Sequence, residues 1–153
     1  MEKTEFAEVR HYLGRTQNQL AQLLCVSPKA IQSFEQGWRL IPPGIERHLL
    51  FLEYLENMPD THAEACWEIQ HCPLKWRNNC ISWELKVGRI CWFVNGTFCR
   101  GEYQGDWTEK IKLCRQCGVF RARIPSLAGH EHHANHHMSS QARAGGKARL
   151  AKA

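Results

Sequence analysis

The sequence predicts an all-α N-terminal bundle, then a small cysteine-rich α+β module, then a disordered tail. Three observations carry this. Residues 1 to about 58 repeat apolar side chains at helical spacing and hold only one cysteine, Cys25. The other seven cysteines lie between Cys66 and Cys117, in a stretch that also carries five of the six tryptophans. From Arg121 onward His, Ala, Gly, Arg and Lys replace the apolar pattern. The predicted boundaries are 1–59 for the bundle, 62–120 for the module and 121–153 for the tail.

In the bundle, Phe6, Val9 and Leu13 form the first helical stripe, and Gly14 stops it. Thr16 and Gln19 are spaced as a capping box that starts the second helix, with Leu20, Ala21 and Leu24 on its apolar face. Ser27 is a good N-cap, and Pro28 suits the first helical position behind it. Ala30, Ile31 and Phe34 form the buried stripe of this third helix, and Gly37 ends it. Pro42-Pro43-Gly44 interrupts the chain. A last helix is predicted from Ile45 to Asn57, with Ile45, Leu49 and Leu52 on one face and a second apolar set at Phe51, Tyr54 and Met58.

In the module, Ile90–Val94, then Asn95-Gly96, then Thr97–Arg100 predicts a hairpin with a tight turn. Asp106 and Glu109 predict a capping box before a helix over Trp107–Leu113. Residues 62–120 carry too few aliphatic side chains for an unaided core, so a staple is expected.

Composition limits the setting. No apolar run approaches the roughly 18–20 residues of a membrane span. Met1–Phe6 carries acids and no apolar h-region, so no secretory signal is expected and the expected compartment is the cytoplasm. In that reducing setting, dense cysteines point to metal ligation or redox chemistry rather than a disulfide frame. The net charge of +5 belongs to the tail. Six bases (Arg121, Arg123, Arg143, Lys147, Arg149, Lys152) and one acid, Glu131, lie beyond residue 120, whereas residues 1–120 hold fourteen of each sign. A nucleic-acid role must therefore rest on where charges sit.

Residues 17–36 place two short helices around the turn Cys25-Val26-Ser27. Ala21 is small enough for a close crossing and Ile31 pins the second helix, leaving its N-terminal end free to enter a major groove. This string resembles the phage-repressor-type (XRE-like) helix-turn-helix family. The resemblance is carried by Thr16-Gln17, Leu20-Ala21, Leu24, Val26-Ser27, Ala30-Ile31, Phe34-Glu35, Gly37, Arg39 and Ile41-Pro42, and covers most of residues 5–57. The chain departs from the family at Cys25, where the turn usually has glycine. The resemblance implies binding of double-stranded DNA. It puts Pro28, Lys29, Gln32 and Ser33 at base edges, of which Lys29 and Gln32 have the reach and chemistry to read sequence. Gln17 falls at a helix N-terminus suited to a phosphate, and Arg15 and Arg39 are placed to neutralise flanking phosphates. The second apolar set, Phe51, Tyr54 and Met58, serves either a homodimer or the seat of the cysteine module. The dimer is preferred, because such domains read paired half-sites.

The module's cysteines run Cys66-x5-Cys72-x7-Cys80-x10-Cys91-x7-Cys99-x14-Cys114-x2-Cys117. Cys66-Trp67 and Cys91-Trp92 head a weak internal repeat. The pattern resembles the "two-CW" module at the ends of some bacterial chemoreceptor-like and signalling proteins, through Cys66-Trp67-Glu68, Cys72, Cys80, Gly88, Cys91-Trp92, Gly96-Thr97, Cys99, Gly101, Gln104-Gly105, Lys110 and Cys114-x2-Cys117. All seven cysteines are candidate ligands. Cys72-Pro73 is a neighbourhood seen at iron–sulfur ligands, and the tryptophans would shield a cluster. An iron–sulfur cluster of [4Fe–4S] type is the leading expectation and zinc the alternative, since the paired short spacings of a zinc ribbon are missing. Disulfides without metal come third. Cys114-x2-Cys117 follows a helix instead of opening one, which disfavours a thiol oxidoreductase. With no nucleophile–base pair and no phosphate loop, no enzyme and no small-molecule substrate are expected. His130, His132, His133, His136 and His137 read as a solvated tract, with loose binding of zinc, nickel or copper as the alternative. The expected function is transcription regulation by a metal- or redox-responsive DNA-binding protein. The alternative is a non-catalytic signalling adaptor whose helix-turn-helix contacts protein.

Overall fold

A computed structural model describes residues 1–58 and 63–128 of the chain. Its first part is helical: α1 (Lys3–Tyr12), α2 (Gln17–Leu23), α3 (Pro28–Gln36) and α4 (Pro43–Glu56). The ends follow local chemistry. The Thr16 hydroxyl accepts from the Gln19 amide at 3.2 Å, while the Gln19 side chain accepts from the Thr16 amide at 2.9 Å. Both orphan donors of the α2 start are thus satisfied. The Ser27 hydroxyl accepts from the Ala30 amide at 3.2 Å ahead of Pro28. The last helix starts at Pro43 rather than Ile45, because a missing N–H costs nothing in the first helical turn. Phe6, Val9, Leu20, Ile31, Leu49 and Leu50 are fully buried between these helices.

Cys25, in the α2–α3 turn, is exposed and has φ of 54°. A side chain with a Cβ in this left-handed region is strained. Cys25→Gly is therefore expected to raise stability by about 0.5–1 kcal/mol, read as a higher urea midpoint at unchanged slope. An unchanged or lower midpoint would show that the turn carries no strain.

The second part holds short elements: α5 (Cys66–Ile69), α6 (Leu74–Arg77), α7 (Ile81–Glu84), a 3-10 turn at Gly88–Ile90, β1 (Thr97–Cys99), β2 (Glu102–Gln104), α8 (Trp107–Arg115), α9 (Gly118–Arg121) and a second 3-10 turn at Pro125–Leu127. The hairpin lies one segment later than the sequence suggested. β1 and β2 pair antiparallel in the register Thr97↔Gln104, Phe98↔Tyr103 and Cys99↔Glu102, and the turn is Arg100-Gly101. Both turn residues have positive φ, 53° and 86°, which matches strand twist. Residues 90–94 form no strand. A strand would send Cys91 and Trp92 to opposite faces, yet the fold buries both, and a turn permits that.

The two parts share one buried cluster, which runs from Phe6 through Tyr54 to Trp92, Trp107 and Ile124. The face at Phe51 and Tyr54, preferred above as a dimer surface, is instead the seat of the module. Phe51 lies 4.8 Å from the Phe93 ring and Tyr54 lies 6.3 Å from the Trp92 ring, while Met58 stays exposed. Polar contacts complete the join. The Arg115 guanidinium donates to Glu5 at 3.1 Å and to Glu46 at 3.3 Å, and the Trp107 indole donates to Glu46 at 3.2 Å. Burial pushes Glu5 up, but the bonds from Arg115 and the Glu2 amide, with the charges of Arg115 and the N-terminus, together hold the carboxyl below its ordinary value.

The packed chain also extends past the predicted boundary at residue 120. Ile124 is fully buried, and Arg123 donates to the Glu64 carbonyl at 3.1 Å. Ser126 donates to Glu53 from its amide at 2.8 Å and its hydroxyl at 2.6 Å. The expectation of a disordered tail from Arg121 is thus corrected for residues 121–128. Single apolar residues among polar ones form no periodic pattern, so their burial is invisible locally. The rest of that tail, with its histidines and Arg143, Lys147, Arg149 and Lys152, lies outside the described residues. Among the described residues, no helix is long and apolar enough to cross a membrane.

Candidate functional site

The seven module cysteines are spread over 52 positions of sequence, yet all seven line one cavity of about 130 Å³. Each sits at an element end. Cys66 opens α5, Cys80 and Cys117 precede α7 and α9, Cys99 closes β1, and Cys114 lies in the last turn of α8. Cys72 follows α5, and Cys91 follows the 3-10 turn at Gly88–Ile90. α5, α6, α7 and α9 have four residues each, far below the length at which a helix holds itself. These ends are positioned by packing around the cavity, not by helix propensity.

Aromatic rings wall the cavity: Trp67, Trp76, Trp83 and Phe98, with Leu113 beside them. Trp67 meets Trp83 edge-on at 4.9 Å. A Cβ at Gly88 would stand 2.5 Å from the Trp67 ring, so that approach requires glycine. Arg77 lies 5.1 Å from the centroid of the Trp83 ring, and its Nε donates to the Cys72 carbonyl at 2.6 Å.

The sulfurs have polar neighbours. The Phe98 amide donates to Cys80 Sγ at 3.4 Å. Cys66 Sγ lies 3.7 Å from the Ser82 hydroxyl, and Cys99 Sγ lies 3.5 Å from the Thr97 hydroxyl. The Cys66 thiol is held at about 7, first by its hydrogen bond with Cys91, against burial, and with help from Ser82 and Lys110. The same bond, with burial, pushes Cys91 well up. Burial lifts Cys114 to about 12 and raises Cys99 and Cys72. Every cysteine is a free thiol, so no disulfide ties the module.

Among the described residues, no three His, Cys, Asp or Glu side chains are gathered tightly enough to hold one metal ion. The cysteines line one cavity without converging on a point. A tetrahedral zinc site needs four ligands about 2.3 Å from one centre. The cysteines share the cavity with aromatic rings, and the Phe98 amide and the Ser82 and Thr97 hydroxyls are polar neighbours of sulfur.

The candidate nucleic-acid residues lie around α3. Pro28, Lys29 and Gln32 are exposed on it, and Arg15 and Arg39 are exposed on the flanking segments. Arg39 lies 5.8 Å from the centroid of the Phe34 ring, which restrains it. Ser33 is turned inward, contrary to expectation. It is buried, and its hydroxyl donates to the Lys29 carbonyl at 2.8 Å, so it does not present itself to a base. Gln17 is half-buried and its amide donates to Glu35 at 2.7 Å. Burial pushes Glu35 up, but the bonds from Arg10 and Gln17 prevail and hold it below its ordinary value, neutralising the one acid of α3.

Sequence reasoning assigned no role to Lys110, Thr97 or Ser82, although Ser82 and Thr97 are fully buried and Lys110 is 1% exposed. The signal for Lys110 was present: Trp107, Lys110, Ile111 and Cys114 form one helical face, and a lysine within such a stripe is unusual. No family model, curated protein or solved structure matches the chain.

Proposed function

We propose that this chain is a cytoplasmic, sequence-specific transcription regulator that binds double-stranded DNA through α3 and carries a metal- or redox-responsive cysteine centre. The observation that carries the proposal is that seven free thiols line one aromatic-walled cavity. An iron–sulfur cluster is the favoured occupant, supported by the number of free thiols and the aromatic wall, and zinc is the alternative. Such a cluster would supply one-electron redox chemistry. The chain's own residues would hold it through thiolates and exclude water with Trp67, Trp76 and Trp83.

Coupling to DNA would run through packing. The module rests on α4 at Phe51 and Tyr54 and on α1 through Arg115 and Glu5, and α1 packs directly on α3. Loosening the module would therefore disturb the support of the recognition helix. A homodimer on paired half-sites belongs to the proposal, with an interface elsewhere than the Phe51–Tyr54 face. Catalysis does not belong to it.

Protein isolated without oxygen is expected to be brown and to contain iron and sulfide, and oxidation is expected to weaken operator binding. A colourless protein with one zinc would replace the cluster with a structural zinc site. Metal-free protein that melts cooperatively and binds DNA normally in reductant would sink both. For the DNA face, Lys29→Ala is expected to cost about 1–3 kcal/mol of specific affinity, the scale of a lost base contact. Arg39→Ala should weaken all sequences alike. Unchanged affinity and sequence preference in Lys29→Ala would remove α3 as the reader.

The second reading, a signalling adaptor, is favoured by one observation. Trp38 and Leu40, directly after α3, are 73% and 95% exposed, an apolar pair unusual beside a phosphate backbone. A gel shift against the protein's own upstream DNA separates the two readings.

A further inference from the structure

We propose that Lys110 is the fixed counter-cation of an anionic thiolate–metal centre in the cysteine cavity, linked to Cys99 through the Thr97 hydroxyl. This deepens the metal reading and rests on it.

Lysines are almost never fully buried unless paired, because an isolated ammonium is expensive away from water. Lys110 is 1% exposed. Its Nζ donates to the Thr97 hydroxyl, and among the described residues no carboxylate forms an ion pair with it. It lies on α8 one turn before Cys114, and its charge acts on the thiols of Cys66, Cys91, Cys99 and Cys114. Of these thiols only Cys66, held at about 7, offsets the charge in part. Metal binding removes their protons, and four thiolates outweigh the charge of one zinc ion or one oxidised four-iron cluster. The centre is then net negative. The buried cation and the buried anion offset each other's desolvation.

Thr97 gives this pairing a direction. In the thiol form Cys99 Sγ donates to the Thr97 hydroxyl at 3.5 Å; once metal has taken the place of that proton, the Thr97 oxygen still accepts from Lys110 and its own proton can turn to the sulfur. The resulting array, ammonium to hydroxyl to sulfur, would make Thr97 the outer partner of a metal-bound Cys99. Lys110 acts as a positioning residue, since it reaches sulfur through Thr97 and needs no contact with metal.

The test uses the full chain, reconstituted without oxygen with sulfide and with ferrous and ferric iron in the equal amounts that an oxidised four-iron cluster contains. Iron affinity is read by chelator competition and the midpoint potential by spectroelectrochemistry. Lys110→Met is expected to lower affinity roughly 10–100-fold, the scale for losing an outer-shell partner, and to make the potential more negative. A lost positive charge disfavours the added electron. Lys110→Arg should restore both, which a merely structural role would not predict. Thr97→Val keeps the shape and the lysine, and should shift both readouts the same way by less.

Parental affinity and potential in Lys110→Met overturn the inference while leaving the metal reading intact. Should Lys110→Met fail to fold, parental values in Thr97→Val overturn it. If the parent takes up zinc alone, zinc affinity across the same variants decides by the same criteria. A parent that takes up neither metal sinks the metal reading, and this inference with it.

Discussion

Trp92→Ala is expected to cost about 3–5 kcal/mol, the range for truncating a fully buried tryptophan, and to loosen the module from the helices beneath it. Trp92 is wholly buried. It meets Tyr54 of α4 at 6.3 Å, Phe93 at 5.8 Å and Phe120 of α9 at 5.7 Å, each edge-on. It therefore joins its own segment to α4 and α9 at the centre of the shared cluster. Its indole N–H has no partner among the described residues. Trp92→Phe is accordingly expected to cost much less, since it keeps a ring and removes an unpaired donor. Denaturant unfolding of both variants, with near-ultraviolet circular dichroism on the aromatic cluster, measures the difference. Equal, small costs for the two would show that the join does not depend on this side chain.

Ending the chain after Phe120 is expected to destabilise it by about 3 kcal/mol or more, whereas ending it after Ala128 should leave the fold intact. Two losses make up the effect. Ile124 leaves the core, worth about 1.5–3 kcal/mol. Glu53, fully buried, loses both donors from Ser126, and a buried charge stripped of its bonds costs about 1–3 kcal/mol or more. The second loss carries a pH signature. Burial raises the Glu53 pKa above its ordinary value, and the bonds from Ser126 only partly oppose it. A group raised in the folded state contributes stability that is present below its unfolded pKa. That contribution is lost as pH rises through the folded value. Ser126→Ala raises the folded value further, so its penalty is expected to be larger near neutrality than in mild acid. Unfolding midpoints for Ser126→Ala across that window read it directly. A penalty independent of pH would mean that Glu53 is not the partner that matters.

The helix starts were legible because a cap is a local transaction. Thr16, Gln19, Ser27 and Asp106 each bond an amide three residues on, or accept one in return, and spacing alone reveals that. The seven cysteines were legible as a set for a similar reason: their number and reducing chemistry do not depend on the fold. Their meeting in one cavity was an expectation that only three dimensions could test.

What tertiary structure decided were the pairings of distant surfaces. Phe51 and Tyr54 could have faced a second copy; Trp92 and Phe93, some forty residues on, cover them instead. Ser33 looked available because it is polar and sits near the start of α3, but the packing of α3 places it inward. The hairpin moved to Arg100-Gly101 because burying both Cys91 and Trp92 overrode the Asn95-Gly96 signal. Ile124 and Lys110 were opaque for one reason. A lone apolar residue in a polar stretch, or a lone lysine in an apolar stripe, acquires meaning only from the groups packed against it. Local hydrogen bonds and periodicity are written between near neighbours in the chain, so the sequence alone determined α1 to α4, α8 and the thiol inventory. Burial is a relation between segments far apart in the chain, and only the folded protein assigned it.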